Sequence, residues 1–95
     1  MSNAKFNVGR VVMSQGISSL VRKNSLTSAE LITIISTRHV CGDFGDLCTE
    51  DKAQNNLSIK NGGRILSKYT VKGITFYVIT EADRSVTTFL LPEEY

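Results

Sequence analysis

A chain of 95 residues, 41% of them hydrophobic and 21% charged, has room for one folded core and none for a second, and it is too apolar to be disordered. Its 11 basic and 9 acidic residues leave a net charge of +2, and the basic residues are dispersed, which argues against a dedicated nucleic-acid binder. No apolar run approaches the ~18 residues of a membrane span, and the start MSNAKFNVGR lacks the apolar core of a signal peptide, so a cytoplasmic protein is expected.

Met1 to Ala4 read like the remnant of an expression tag and are set aside. Phe6 to Met13 (FNVGRVVM) is short and valine-rich, which predicts a strand. Ser14 follows as an N-cap, with Ile17, Leu20 and Val21 at helical spacing, so a short helix is expected up to Asn24. Thr27-Ser28-Ala29-Glu30 has the form of a capping box: the Thr27 hydroxyl accepts from the Glu30 amide while the Glu30 carboxylate reaches back. The helix that it opens should run from Ser28 to about Arg38 and bury Leu31, Ile34 and Ile35.

The next ten residues, HVCGDFGDLC from His39 to Cys48, hold two glycines that can take angles forbidden to other residues and two aspartates that can bond nearby amides. A turn is predicted here. Thr49, ahead of Glu50 and Asp51, then signals a third helix running to about Lys60, with Ala53 and Leu57 inward and a stop at Asn61-Gly62-Gly63. From Arg64 the period changes to two. The runs RILSKYT, ITFYVIT and SVTTFLL are separated by Val71-Lys72-Gly73 and by Glu81-Ala82-Asp83-Arg84, and Pro92 ends the last of them. The expected fold is α+β over one domain, 1–95, with an N-terminal strand and two to three short helices packed on one face of a C-terminal three-stranded antiparallel meander.

The residue types of the central segment suggest several chemistries. Zinc would recruit His39, Cys41 and Cys48 with Asp43 or Asp46, but there is no Cys-x-x-Cys pair and no second histidine. No metal and no cofactor is expected. Cys48 is read instead as a small core residue, and His39 as a partly exposed group near a helix end. Cys41 and His39 are two residues apart, a spacing at which side chains diverge, so no catalytic thiol is expected. A phosphate cradle at Gly42 and Gly45 is opposed by the charge of Asp43 and Asp46. The compact helix-then-meander order resembles the architecture of RelE-type ribonuclease toxins, which would employ Arg64, Lys68 and Arg84 on a scissile phosphate.

Three segments carry a more specific resemblance: GDFGDLCTEDKAQNN (42–56), GGRILSKYT (62–70) and ITEADRSVTTFLLPEEY (79–95). They resemble the recurring segments of a family of small, functionally uncharacterised proteins encoded on bacterial plasmids and integrative elements, many of which carry tryptophan where this chain has Phe44. The resemblance implies a bacterial, cytoplasmic, mobile-element setting. Two of the segments are loops rich in polar groups, so Asp43, Phe44, Asp46, Asp83 and Arg84 are the candidate binding residues. Arg84 is expected to fork onto Asp43, Asp46 or Asp83, joining the two loops with Phe44 covered between helix and sheet. The function expected is non-catalytic binding to another macromolecule, a protein rather than nucleic acid.

Overall fold

The computed structural model describes residues 4–95, so most of the Met1 to Ala4 segment lies outside the described residues. In chain order the elements are β1 (Arg10–Met13), α1 (Gln15–Arg22), α2 (Ser28–Thr37), a 3-10 turn at His39–Cys41, α3 (Thr49–Asn61), β2 (Ile65–Val71), β3 (Ile74–Thr80), β4 (Val86–Leu90) and a second 3-10 turn at Pro92–Glu94. The fold is α+β, and the meander β2-β3-β4 is antiparallel as its alternation predicts. The N-terminal strand corrects the expectation in detail. It does not lie outside the meander but joins it, parallel to β4, giving a four-stranded mixed sheet in the order β1-β4-β3-β2.

Local chemistry explains the boundaries. The strand begins at Arg10, not Phe6, because Gly9 is left-handed (φ 63°) and lies so close to the Arg84 and Ser85 carbonyls that a Cβ would overlap them. The Ser14 hydroxyl accepts from the Ile17 amide at 3.2 Å. Both bonds of the Thr27 capping box are present, Glu30 N to Thr27 Oγ1 at 3.1 Å and Thr27 N to Glu30 Oε1 at 2.8 Å. Lys72 and Gly73 both have positive φ (53° and 80°), which tightens the first hairpin to a two-residue turn matching the twist of its strands.

One face of the sheet, carrying Tyr69, Phe76, Val78 and Phe89, packs against Ile17 of α1, Leu26, and Leu31, Ile34 and Ile35 of α2. Each such buried side chain contributes roughly 1.5–3 kcal/mol of apolar transfer energy. Helix α3 departs from its pattern: Ala53 and Leu57, expected inward, are exposed, and Asn55 and Ser58 are buried instead. The reason lies at the edge of β2. There the Asn55 side chain acts as a surrogate strand, Nδ2 donating to the Leu66 carbonyl at 2.5 Å and Oδ1 accepting from the Leu66 amide at 3.0 Å. Thr49 is the first helical residue, not the cap; Cys48 holds that place without a side-chain bond and is exposed, which corrects its reading as a core residue.

Candidate functional site

The Gly42–Asp46 turn covers the next outward-facing position of the β2 edge, Lys68. The Phe44 carbonyl accepts from the Lys68 amide at 3.0 Å and the Asp46 amide donates to the Lys68 carbonyl at 2.8 Å, so Gly45 forms a parallel bridge with Lys68. Gly45 has φ 74°, and a Cβ there would overlap the Lys68 carbonyl oxygen. Phe44 is buried, as expected of a covered aromatic anchor. Asp43 holds the turn from outside: its carboxylate pairs with Arg38 at 2.9 Å and accepts from the Gly45 amide at 3.1 Å. The Arg38 guanidinium, the larger influence, and that amide keep the Asp43 carboxyl below its usual range. Arg38 also stacks 4.7 Å above the Tyr69 ring, and the Tyr69 hydroxyl donates to the Asp43 carbonyl at 2.5 Å.

Arg84 is not the partner of that turn. Its guanidinium donates to main-chain carbonyls: Gly63 at 2.6 Å, Ser58 at 2.9 Å, Glu81 at 3.1 Å and Ala82 at 3.2 Å. It therefore ties the second loop to the last turn of α3, where the Ser58 carbonyl, already accepting from the Gly62 and Gly63 amides, and the negative end of the helix dipole favour a cation. Asp83 turns to its own loop, accepting from the Ser85 amide at 2.9 Å. The predicted joining of the two loops by Arg84 with Asp43, Asp46 or Asp83 is thus overturned, because backbone acceptors at the helix end engage Arg84 and Arg38 reaches Asp43 first. Asp46 accepts a long bond, 3.4 Å, from Thr70.

The three cations of the ribonuclease reading are not gathered into one cleft. Arg64 pairs with Glu81 at 3.4 Å, and Arg84 is engaged as above with its guanidinium over the Phe6 ring. Lys68 lies in β2 between Ser67 and Tyr69, whose side chains face the core, so its own points to the opposite side of the sheet.

His39 occupies a position that its sequence context does not announce. It is 0% exposed, not at the surface, with the Phe6 ring edge-on at 5.1 Å. Its Nδ1 lies 2.6 Å from Ser67 Oγ and its Nε2 2.9 Å from Thr80 Oγ1; Thr80 is in turn 2.7 Å from Thr87 Oγ1, which donates to the Val8 carbonyl at 2.8 Å. The chain of bonds fixes every proton. Thr87 spends its hydrogen on Val8, so it accepts from Thr80; Thr80 then accepts from His39, which is the Nε2–H tautomer with Nδ1 accepting from Ser67. Burial lowers the pKa of His39 to about 4, keeping the ring neutral. Both ring nitrogens are occupied, which leaves neither for a metal or a substrate, and among the described residues no three His, Cys, Asp or Glu side chains are placed to hold an ion. Cys41 and Cys48 are both free thiols.

The surface that remains open is the other edge of the sheet. Arg10 N donates to Ser85 O at 3.0 Å and Ser14 N to Phe89 O at 2.9 Å, so residues 10, 12 and 14 face β4. The main-chain groups of Val11 and Met13 therefore point outward, and among the described residues no strand pairs with them. Their side chains, 44% and 43% exposed, border a groove of about 230 Å³ with Leu31, Phe89 and Ile32, the last 63% exposed. A second, polar cavity on Ser14, Gly16, Arg22 and Glu94 meets the same edge at Met13. No site residue was predicted here, although the run Val11-Val12-Met13 beside an outward Ile32 was a usable signal.

Comparison of the chain with protein-family models, curated proteins and solved structures finds no match.

Proposed function

We propose that this chain is a non-catalytic, cytoplasmic accessory protein of a bacterial mobile element, and that it binds protein, not nucleic acid, by accepting an extended segment at β1. The observation that carries the reading is the contrast between the two sheet edges. At β2 the chain covers its own main-chain groups at Leu66 and Lys68; at β1 it leaves those of Val11 and Met13 open, beside apolar side chains. Edges kept inert commonly carry lysine, proline or an inward charge; Val11 and Met13 do none of that work. An added strand would gain main-chain bonds from the edge and selectivity from the groove under Ile32.

The turn residues Asp43, Phe44 and Asp46, and Asp83 and Arg84 in the second loop, support this surface indirectly by fixing the frame of the sheet. The test is capture from lysate of bacteria that also express an untagged copy of the chain, with and without nuclease, by the wild-type chain and by Val11→Pro. That substitution removes an outward N–H and leaves the β4 ladder intact. Retention of a protein after nuclease treatment, and its loss in Val11→Pro, is expected. Capture that needs nucleic acid, or that ignores Val11→Pro, refutes the reading.

A further inference from the structure

We infer that the segment accepted at β1 is β1 of a second copy of this chain, paired antiparallel about a two-fold axis; this rests on the edge reading above and names its occupant. The geometry of β1 fixes the register. Gly9 is left-handed, and Ser14, though still extended, caps α1 and gives its amide to β4, so within β1 only Val11 and Met13 present outward main-chain groups. Pairing Val11 with Met13 of the second copy, and Met13 with its Val11, places Val12 opposite itself and lets both residues of each copy exchange N–H and C=O bonds. A pairing centred on Val11 would set Met13 against left-handed Gly9, and one centred on Met13 would set Val11 against helical Gln15, so both lose bonds.

This register is also complementary in side chains. Val11 of one copy lies beside Met13 of the other on the face that carries the groove, bringing two exposed Ile32 side chains toward a shared apolar strip. On the opposite face Arg10 stands across from Ser14 of the second copy. Ser14 Oγ donates to Glu94 Oε1 at 2.5 Å, and Glu94 Oε2 accepts from the Gly16 amide at 2.9 Å, so a fixed carboxylate sits where Arg10 arrives. The two-fold axis makes that ion pair twice. A four-residue ladder is short beside the ~800 Å² per partner of a standard stable interface, so a weak, concentration-dependent dimer is expected.

The test is sedimentation equilibrium of the full chain from about 1 μM to 1 mM, on wild type, Val11→Pro and Arg10→Glu, with melting curves to show that each variant folds. A monomer–dimer equilibrium is expected, abolished in Val11→Pro and weakened at least tenfold in Arg10→Glu, which sets carboxylate against carboxylate. Arg10→Glu keeps the test decisive if the proline variant does not fold. A chain monomeric up to 1 mM, or a dimer indifferent to Arg10→Glu, overturns the inference. A monomer whose capture of a lysate protein still depends on Val11 overturns the second copy alone and leaves the edge reading standing.

Discussion

His39 is the only histidine of the chain, so its burial can be read directly from the pH dependence of stability. In the unfolded chain its pKa is the ordinary 6.5; in the fold, burial lowers it to about 4. Between these values the unfolded state binds the extra proton, so stability is complete above pH 6.5 and falls as the pH drops toward 4. The loss approaches about 2 kcal/mol between pH 7 and pH 5 and about 3 kcal/mol by pH 4, at 1.36 kcal/mol for each pKa unit. Carboxylates held below their usual range, such as Glu30, Asp43 and Glu94, lose their contribution from about pH 4.5 downward, so the histidine acts alone over most of its window. Urea unfolding at pH 7 and pH 5 measures it: with a slope of about 1–2 kcal/mol/M for a chain of this size, the midpoint should fall by roughly 1–2 M. In His39→Gln, which cannot titrate, the midpoint should be lower at pH 7 and nearly constant to pH 5. Nitrogen chemical shifts of the single imidazole should show a neutral ring protonated at Nε2. Equal pH sensitivity in wild type and His39→Gln, or a ring titrating near 6.5 in the folded protein, would refute the buried relay.

Gly45→Ala should destabilise by roughly 3 kcal/mol or more, since it combines a left-handed backbone with an overlap on the Lys68 carbonyl; thermal melting within a degree of wild type would contradict the edge clip. Asn55→Ala leaves the Leu66 amide and carbonyl without their partner, at a cost of about 2–3 kcal/mol in urea unfolding, and Asn55→Leu should rescue none of it. Arg84→Ala should cost about 2 kcal/mol through the carbonyls at the end of α3, while Arg64→Ala, which breaks an exposed pair, should stay within ~0.5 kcal/mol. Equal losses in the two arginine variants would show that Arg84 does not anchor the helix end.

What was legible in the sequence was whatever neighbours along the chain decide. The Ser14 cap, the Thr27 capping box, the Gly62 stop and the two-fold alternation of β2, β3 and β4 are local chemistry, and each stands where its residues predicted. Partners far apart in the chain were not legible. Nothing near His39 says that Ser67 and Thr80 will meet it from two strands, and a histidine after a helix reads the same whether buried or wet. Helix α3 misled for a related reason: its apolar residues, Ala53 and Leu57, suggested an inward stripe, while an unpaired Leu66 at the sheet edge selected Asn55. The parallel docking of β1 depends likewise on the Ser85 and Phe89 carbonyls, more than seventy residues away in the chain.

The role of the central turn follows from that geometry. Had HVCGDFGDLC been a reactive loop, its polar groups would face a cavity; instead Asp43 and the backbone of Phe44 and Asp46 are engaged in holding the turn along β2, and His39 is sealed beneath the sheet. Closing this edge has a consequence for the other one. With the outward main-chain groups of Leu66 and Lys68 already paired, β2 offers far less to a further strand than β1 does, so on the proposed reading extension of the sheet is directed to β1 and an open chain of sheets is disfavoured. If association at β1 occurs as proposed, the turn bears on it without touching a partner: it limits growth at the opposite edge, and weakening it through Gly45→Ala would expose the Lys68 main-chain groups as a second place for molecules to join.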